Sequence, residues 1–161
     1  MTMYQQTNQQ ATETADSKTS PQSGPHEAGG AKGAATHSPL RVYLVEDSAH
    51  VRDLLLDFLH VPGEVEIVGY ADNEAESVAD ILSQPVDAVI VDLKLREGGG
   101  MAVIEKVRAA KPTPPPTIIV FTNHPFPQIK LRALQLGADY FFDKSADYDN
   151  VRSTLQGLRR H

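Results

Sequence analysis

Five short apolar runs, each followed by polar residues and then by apolar residues at helical spacing, restrict this chain more than any other feature. The runs are Leu40-Arg41-Val42-Tyr43-Leu44-Val45, Val65-Glu66-Ile67-Val68-Gly69-Tyr70, Pro85 through Asp92, Thr117-Ile118-Ile119-Val120-Phe121, and Asp139 to Phe142. After the first, Ser48 is a helix N-cap residue, and Val51, Leu54, Leu55, Phe58 and Leu59 recur at i, i+3, i+4, i+7 and i+8. Asn73 predicts the cap of a second helix carrying Ala75, Val78, Ala79 and Leu82, which ends before Pro85. Met101, Ile104 and Val107 mark a third stripe. A fourth helix spans about Phe126 to Leu136 and stops at Gly137, a residue suited to the left-handed turn after a helix. Val151, Leu155 and Leu158 mark the last. Strands alternating with helices through short links predict a doubly wound α/β domain, a five-stranded parallel sheet with helices on both faces.

In such a sheet, right-handed crossovers point every strand the same way, and ligands bind beyond the carboxyl ends. Four of the five predicted strand ends carry reactive groups: Glu46-Asp47, Asp92, Thr122 and Lys144. Singly, each has an ordinary explanation. Acids complement the start of a helix, a threonine caps one, and most lysines are solvated. Together they require four coincidences at one edge. Three carboxylates in one cleft repel, and two unit charges about 4 Å apart cost about 4 kcal/mol at an effective dielectric of about 20. A divalent cation relieves that repulsion, and hard oxygen ligands suit Mg²⁺. The Thr122 hydroxyl and Lys144 ammonium would donate to the remaining oxygens of a phosphoryl group. Its transfer depends mostly on positioning and charge neutralisation. The set reads as a site that accepts a phosphoryl group on the Asp92 carboxylate.

Composition divides the chain. Residues 1–39 contain no Leu, Ile, Val, Phe or Trp, so they predict a disordered polar tail. That tail is either dispensable or a partner-binding or tethering segment. It has no apolar stretch like that of a secretory signal, and no Arg. Residues 40–161 form the expected folded domain and carry 13 Lys/Arg against 18 Asp/Glu, which argues against non-specific nucleic-acid binding. No run is long enough to span a bilayer. The absence of cysteine excludes disulfides and thiolate metal sites.

The chain from Leu40 onward resembles the receiver domain of two-component response regulators. The resemblance rests on Val45-Glu46-Asp47-Ser48, Val91-Asp92-Leu93-Lys94-Leu95, Phe121-Thr122-Asn123 and Phe142-Asp143-Lys144-Ser145. Gly100, and Gly137-Ala138-Asp139, also fit. It implies the flavodoxin-like strand order 2-1-3-4-5. Asp92 would be the phosphoacceptor, receiving its phosphoryl group from the phosphohistidine of a sensor histidine kinase or phosphotransfer protein. Glu46, Asp47, Asp92 and the backbone carbonyl of Lys94 would hold Mg²⁺, and Thr122 and Lys144 would contact phosphoryl oxygens. Thr122 would act as a switch together with an aromatic residue, Phe141 or its neighbour Tyr140. Lys94 and His124 flank the pocket and are expected to tune its access to water.

The sequence departs from the family pattern at Ser145, Arg96 and Asn123, where the family often has proline, proline and a small residue. None of these removes a reacting group. The resemblance further implies a stand-alone cytoplasmic regulator that is not itself an enzyme. It would work by protein contact, either on a downstream target or as a phosphate-relay intermediate, without binding DNA directly and without a membrane. The alternative is a receiver-fold interaction module independent of phosphorylation. A haloacid-dehalogenase-like phosphatase would need a second Asp where Lys94 stands. A nucleotide-binding domain would need a glycine-rich loop where Glu46-Asp47 stands.

Overall fold

The computed structural model describes residues 38–159. Except for Ser38 and Pro39, the polar segment expected over residues 1–39 lies outside the described residues. Ten elements alternate: β1 (Leu40–Val45), α1 (Ala49–Leu59), β2 (Val65–Ala71), α2 (Glu74–Ser83), β3 (Ala88–Val91), α3 (Gly100–Ala110), β4 (Thr117–Thr122), α4 (Pro127–Gln135), β5 (Tyr140–Asp143) and α5 (Tyr148–Leu158). All strands pair in parallel in the order β2-β1-β3-β4-β5, as expected. The order reverses between β1 and β3, which opens a crevice beyond their carboxyl ends. Among the described residues, no helix is long and apolar enough to cross a membrane.

The period-2 alternation of strand side chains sorts the core into two layers. Tyr43, Val45, Val89, Val91, Ile118 and Val120 point to one face and pack with α2, α3 and α4. Val42, Leu44, Ala88, Ile90, Ile119 and Phe121 point to the other and pack with α1 and α5. The central strands are buried on both faces, which is why they read as continuous apolar runs.

The helix ends follow local chemistry. Ser48 and Asn73 accept hydrogen bonds from the amides of Val51 and Glu76, as their positions predict. At the end of α4, Gly137 takes φ +109°. There the Ala138 amide donates to Ala133 O and the Gly137 amide to Leu134 O, both at 3.0 Å. This paired closure satisfies carbonyls that the helix leaves free.

Two expectations need correction. The buried face of α2 is Ser77 and Ile81, with Val78 partly buried, whereas Ala75, Ala79 and Leu82 are exposed. Alanine carries too little apolar area to fix a helix face. Ser77 can be buried because its hydroxyl donates to Asn73 O at 2.5 Å. In α1, Leu54 of the expected stripe is exposed, and Leu55 and Leu59 supply the buried contacts. Strand boundaries also shift by a few residues. β3 is confined to Ala88–Val91, and β5 starts at Tyr140 and not at Asp139.

Candidate functional site

Each site residue stands where its strand stops. Glu46 and Asp47 follow β1, Asp92 follows β3, Thr122 ends β4, and Lys144 follows β5. Backbone bonds fix these positions. The Glu46 amide donates to Ala71 O, the Asp92 amide to Val45 O and the Lys144 amide to Thr122 O, at 2.9–3.0 Å. The sheet therefore carries its own ladder up to the reactive residues, and their side chains start from a rigid frame.

Four of these residues are buried polar groups: Glu46, Asp92, Thr122 and Lys144, with Thr122 fully enclosed. Asp47 is half-buried. The Lys144 ammonium donates to Glu46 Oε2 and, at 2.7 Å, to Asp92 Oδ2. It joins residues that are 98 and 52 positions away in the chain. The Ser48 amide donates to Glu46 Oε1 at 3.0 Å. Among the described residues, Asp92 Oδ1 receives only the longer bond from the Lys94 amide, at 3.3 Å. The Thr122 hydroxyl oxygen accepts from the His124 amide at 3.3 Å.

The electrostatics follow from this crowding. Burial raises the Glu46 carboxyl above its usual value, although Lys144 and the Ser48 amide oppose it. Burial alone would lower Lys144, but its hydrogen bonds to Asp92 and Glu46 outweigh that and raise it, so it stays charged. The Lys144 ammonium contacts two of the three clustered carboxylates, Glu46 and Asp92. Oxygens from Glu46, Asp47 and Asp92 all lie within 4.8 Å of one another, a hard-oxygen donor set with uncompensated negative charge. That combination fits a divalent cation, and Mg²⁺ in particular.

The loop between β3 and α3 is shaped by glycine. Gly98 adopts φ +76°. At Gly100 an added Cβ would fall on the backbone of Asp92 and Leu93, coming within 2.8 Å of the Asp92 carbonyl carbon. Any larger residue there would displace the segment that carries Asp92. Glu74, in the first turn of α2, accepts from the Gly99 amide at 3.1 Å and pairs with Lys106 at 2.5 Å. Sequence reasoning missed this brace, because an acid in a first helical turn reads as an ordinary complement to the helix dipole.

The two candidate switch aromatics point to opposite faces. Phe141 packs with the layer under α4, the face that also takes Val120 and, by alternation, Thr122. Tyr140 stacks on Phe142, with ring centroids 6.1 Å apart, and is exposed. Phe141 is thus the aromatic residue that shares a face with Thr122.

Comparison with known proteins identifies a family and a shared fold. The family model described as the response regulator receiver domain matches residues 42–156. The chain is 30% identical over 115 residues to a protein-glutamate methylesterase/protein-glutamine glutaminase of Moorella thermoacetica, covering 70% of this chain and 26% of that protein. It is 35% identical over 98 residues to a protein of the same name in Agrobacterium fabrum, covering 61% and 28%. The chain thus spans just over a quarter of the length of these curated relatives. Among solved structures, it resembles the signal receiver domain of the putative response regulator NarL from Mycobacterium tuberculosis. That match has a TM-score of 0.69 at 24% identity and covers 76% of this chain and 98% of the other. The response regulator domain of Thermotoga maritima CheB matches with a TM-score of 0.63 at 23% identity, covering 76% and 94%.

Proposed function

The chain belongs to the response regulator receiver domain family, and from that premise we propose that it accepts a phosphoryl group on Asp92 from a phosphohistidine. The donor is a sensor histidine kinase or a phosphotransfer protein acting in the cytoplasm. The observation that carries this reading is the buried bridge from Lys144 to both Glu46 and Asp92, with Thr122 enclosed at the same sheet edge. A lysine serving stability alone would not need two buried acids and a third beside them.

Asp92 Oδ1 is the nucleophile, because among the described residues its one bond is the 3.3 Å one from the Lys94 amide, whereas Lys144 holds Oδ2 at 2.7 Å. As Oδ1 bonds to phosphorus, the phosphorus–nitrogen bond of the donor breaks. The imidazole leaves with its electron pair and takes up a proton. Mg²⁺, held by Glu46, Asp47, Asp92 and the Lys94 carbonyl, would neutralise phosphoryl oxygens. Lys144 and the Thr122 hydroxyl donate to the others. The rigid strand ends supply orientation before the donor arrives.

Movement of Thr122 toward the phosphoryl group leaves room on its face of the sheet, and Phe141 turns into it. The surface formed by α4 and β5 then changes, and a downstream protein reads the difference. The shift is only as large as the difference in contacts between the two states. The chain is a phosphoacceptor that assists its own phosphorylation and dephosphorylation, and is not an enzyme acting on other substrates.

The test is incubation with Mg²⁺ and acetyl phosphate, followed by intact mass. Wild type is expected to gain one phosphoryl group, and Asp92→Asn none. No gain in wild type with acetyl phosphate or with candidate kinases would instead favour an interaction module independent of phosphorylation.

A further inference from the structure

A cavity of about 470 Å³ opens beside the carboxylate site, between the β3–α3 loop and α4. Its floor and walls are apolar: Leu93, Met101, Phe126 and Ile129 contribute. Its charged or titratable lining is Lys94 and His124, and no acid lines it among the described residues. That is unusual on a chain whose net charge is −6. The size falls in the range of about 300–1,000 Å³ typical of ligand-holding clefts. Phe126 stands 54% exposed on the rim, a large apolar side chain left in water.

We propose that this cavity is a docking pocket for a short segment of a partner protein, one that places an apolar side chain in the cleft and a neighbouring carboxylate on Lys94 and His124. Charge complementarity selects that occupant. A basic segment would be repelled by the rim, and a purely apolar one would leave the rim cation without a partner. Apolar anchoring with a charged flank is how short helical or extended segments engage grooves.

The pocket is also wired to the carboxylate site. The amides of its two rim residues donate to the side chains of Asp92 and Thr122. Any change at Asp92 or Thr122 therefore alters the bonds that place Lys94 and His124. The opposite wall is α4, whose buried residue is Ala133 and whose first turn has no side-chain cap. Ala133 is small, so this helix rests on little fully buried side-chain area. Docking and the state of Asp92 are consequently linked, and the linkage is reciprocal. This second part rests on the phosphoacceptor reading given above, whereas docking itself does not.

The experiment is a titration of the full unmodified chain with an array of short synthetic peptides. Each carries one central Leu, Phe or Met flanked by Asp, by Lys, or by neither, with Ala-centred controls. Binding is followed by the methyl resonances of Met101 and Ile129. Asp-flanked peptides are expected to bind saturably, and about ten-fold or more tighter than Lys-flanked or Ala-centred ones. Phe126→Ala should weaken them by about ten-fold while leaving thermal unfolding unchanged, because this side chain is exposed. His124→Glu should turn the preference toward Lys-flanked peptides, which a purely structural role would not do. No saturable binding, or binding indifferent to flank charge and to Phe126→Ala, overturns the pocket.

The same titration after treatment with acetyl phosphate and Mg²⁺ tests the linkage. A mass gain with a changed affinity supports it, and a mass gain with unchanged affinity overturns it. Absence of any mass gain counts against the phosphoacceptor reading and with it the linkage, while docking stands or falls on the first titration.

Discussion

At the amino edge of the sheet Asp87 and Asp139 each have a guanidinium of their own, whereas at the carboxyl edge two buried carboxylates share one ammonium and a third lies beside them. Asp87, just before β3, receives Arg41 Nε at 2.9 Å, Arg41 Nη2 at 2.7 Å and the Arg41 amide at 2.8 Å. Asp139, before β5, accepts from Arg108 Nη2 and from the Ile118 amide, both at 2.7 Å. Arg108 also donates to the carbonyls of Gly137 and Pro116, so one side chain ties α3 to both neighbouring strand starts. These groups are satisfied and half-open to water. Glu46, Asp92 and Lys144 are buried with charge left over. The same fold thus holds paired charges at one edge and uncompensated negative charge at the other.

The largest expected effect is at Lys144. Lys144→Met leaves two buried carboxylates without their cation and should cost about 3–5 kcal/mol in urea unfolding without divalent ions. Adding Mg²⁺ should recover part of it. A loss below about 1 kcal/mol would mean that Lys144 is not the counter-ion the geometry describes.

Next is Arg108→Met, which removes donors from Gly137, Pro116 and Asp139. It should lower stability by about 1–2 kcal/mol, since Asp139 can partly turn to water. Phosphoryl uptake at the far edge should persist.

The direct contrast is Asp→Asn at each edge. Asp87→Asn loses half of a bidentate pair and should cost about 1 kcal/mol. Without divalent ions, Asp92→Asn relieves repulsion and should leave stability unchanged or raise it. Equal losses at both positions would erase the difference between the edges.

The smallest effect is the response to pH, and it has opposite signs. Hydrogen bonding from the Arg41 side chain, opposed by partial burial, holds the Asp87 carboxyl below its usual 3.8. Its contribution is complete above the unfolded-state value and is lost as pH falls through the folded value. Burial raises Glu46 above its usual 4.5, so between that value and the raised one the folded state binds more protons. Stability therefore falls there as pH rises. Glu46→Gln should flatten this upper limb of a stability–pH curve, and Asp87→Asn the acid limb. The opposite assignment would refute the cause given for each shift.

The two edges also differ in how far they could be read beforehand. The carboxyl edge was legible because each reactive residue lies within two positions of the end of an apolar run, and the end of a strand can be seen in the sequence. The amino-edge clamps were not. Asp87 lies inside a run that looked like strand throughout, and Arg108 reads as a routine cation near a helix end. Nothing local marks either as one half of a pair. The brace from Glu74 to the β3–α3 loop was invisible for the same reason: its partner amide lies 25 residues away.

The order of elements, the parallel sheet and the residues at its carboxyl edge were thus determined by the sequence alone. They depend on periodicity and on turn chemistry, which act between near neighbours. The tertiary structure decided which face α2 buries, that Phe141 and not Tyr140 shares a face with Thr122, and which carboxylates Lys144 holds. It also decided that a cation-rimmed apolar cleft opens beside Asp92. Each of these depends on groups brought together from distant parts of the chain. Whether a charge is locked or left uncompensated depends on which partners packing brings within reach, and no local pattern encodes that.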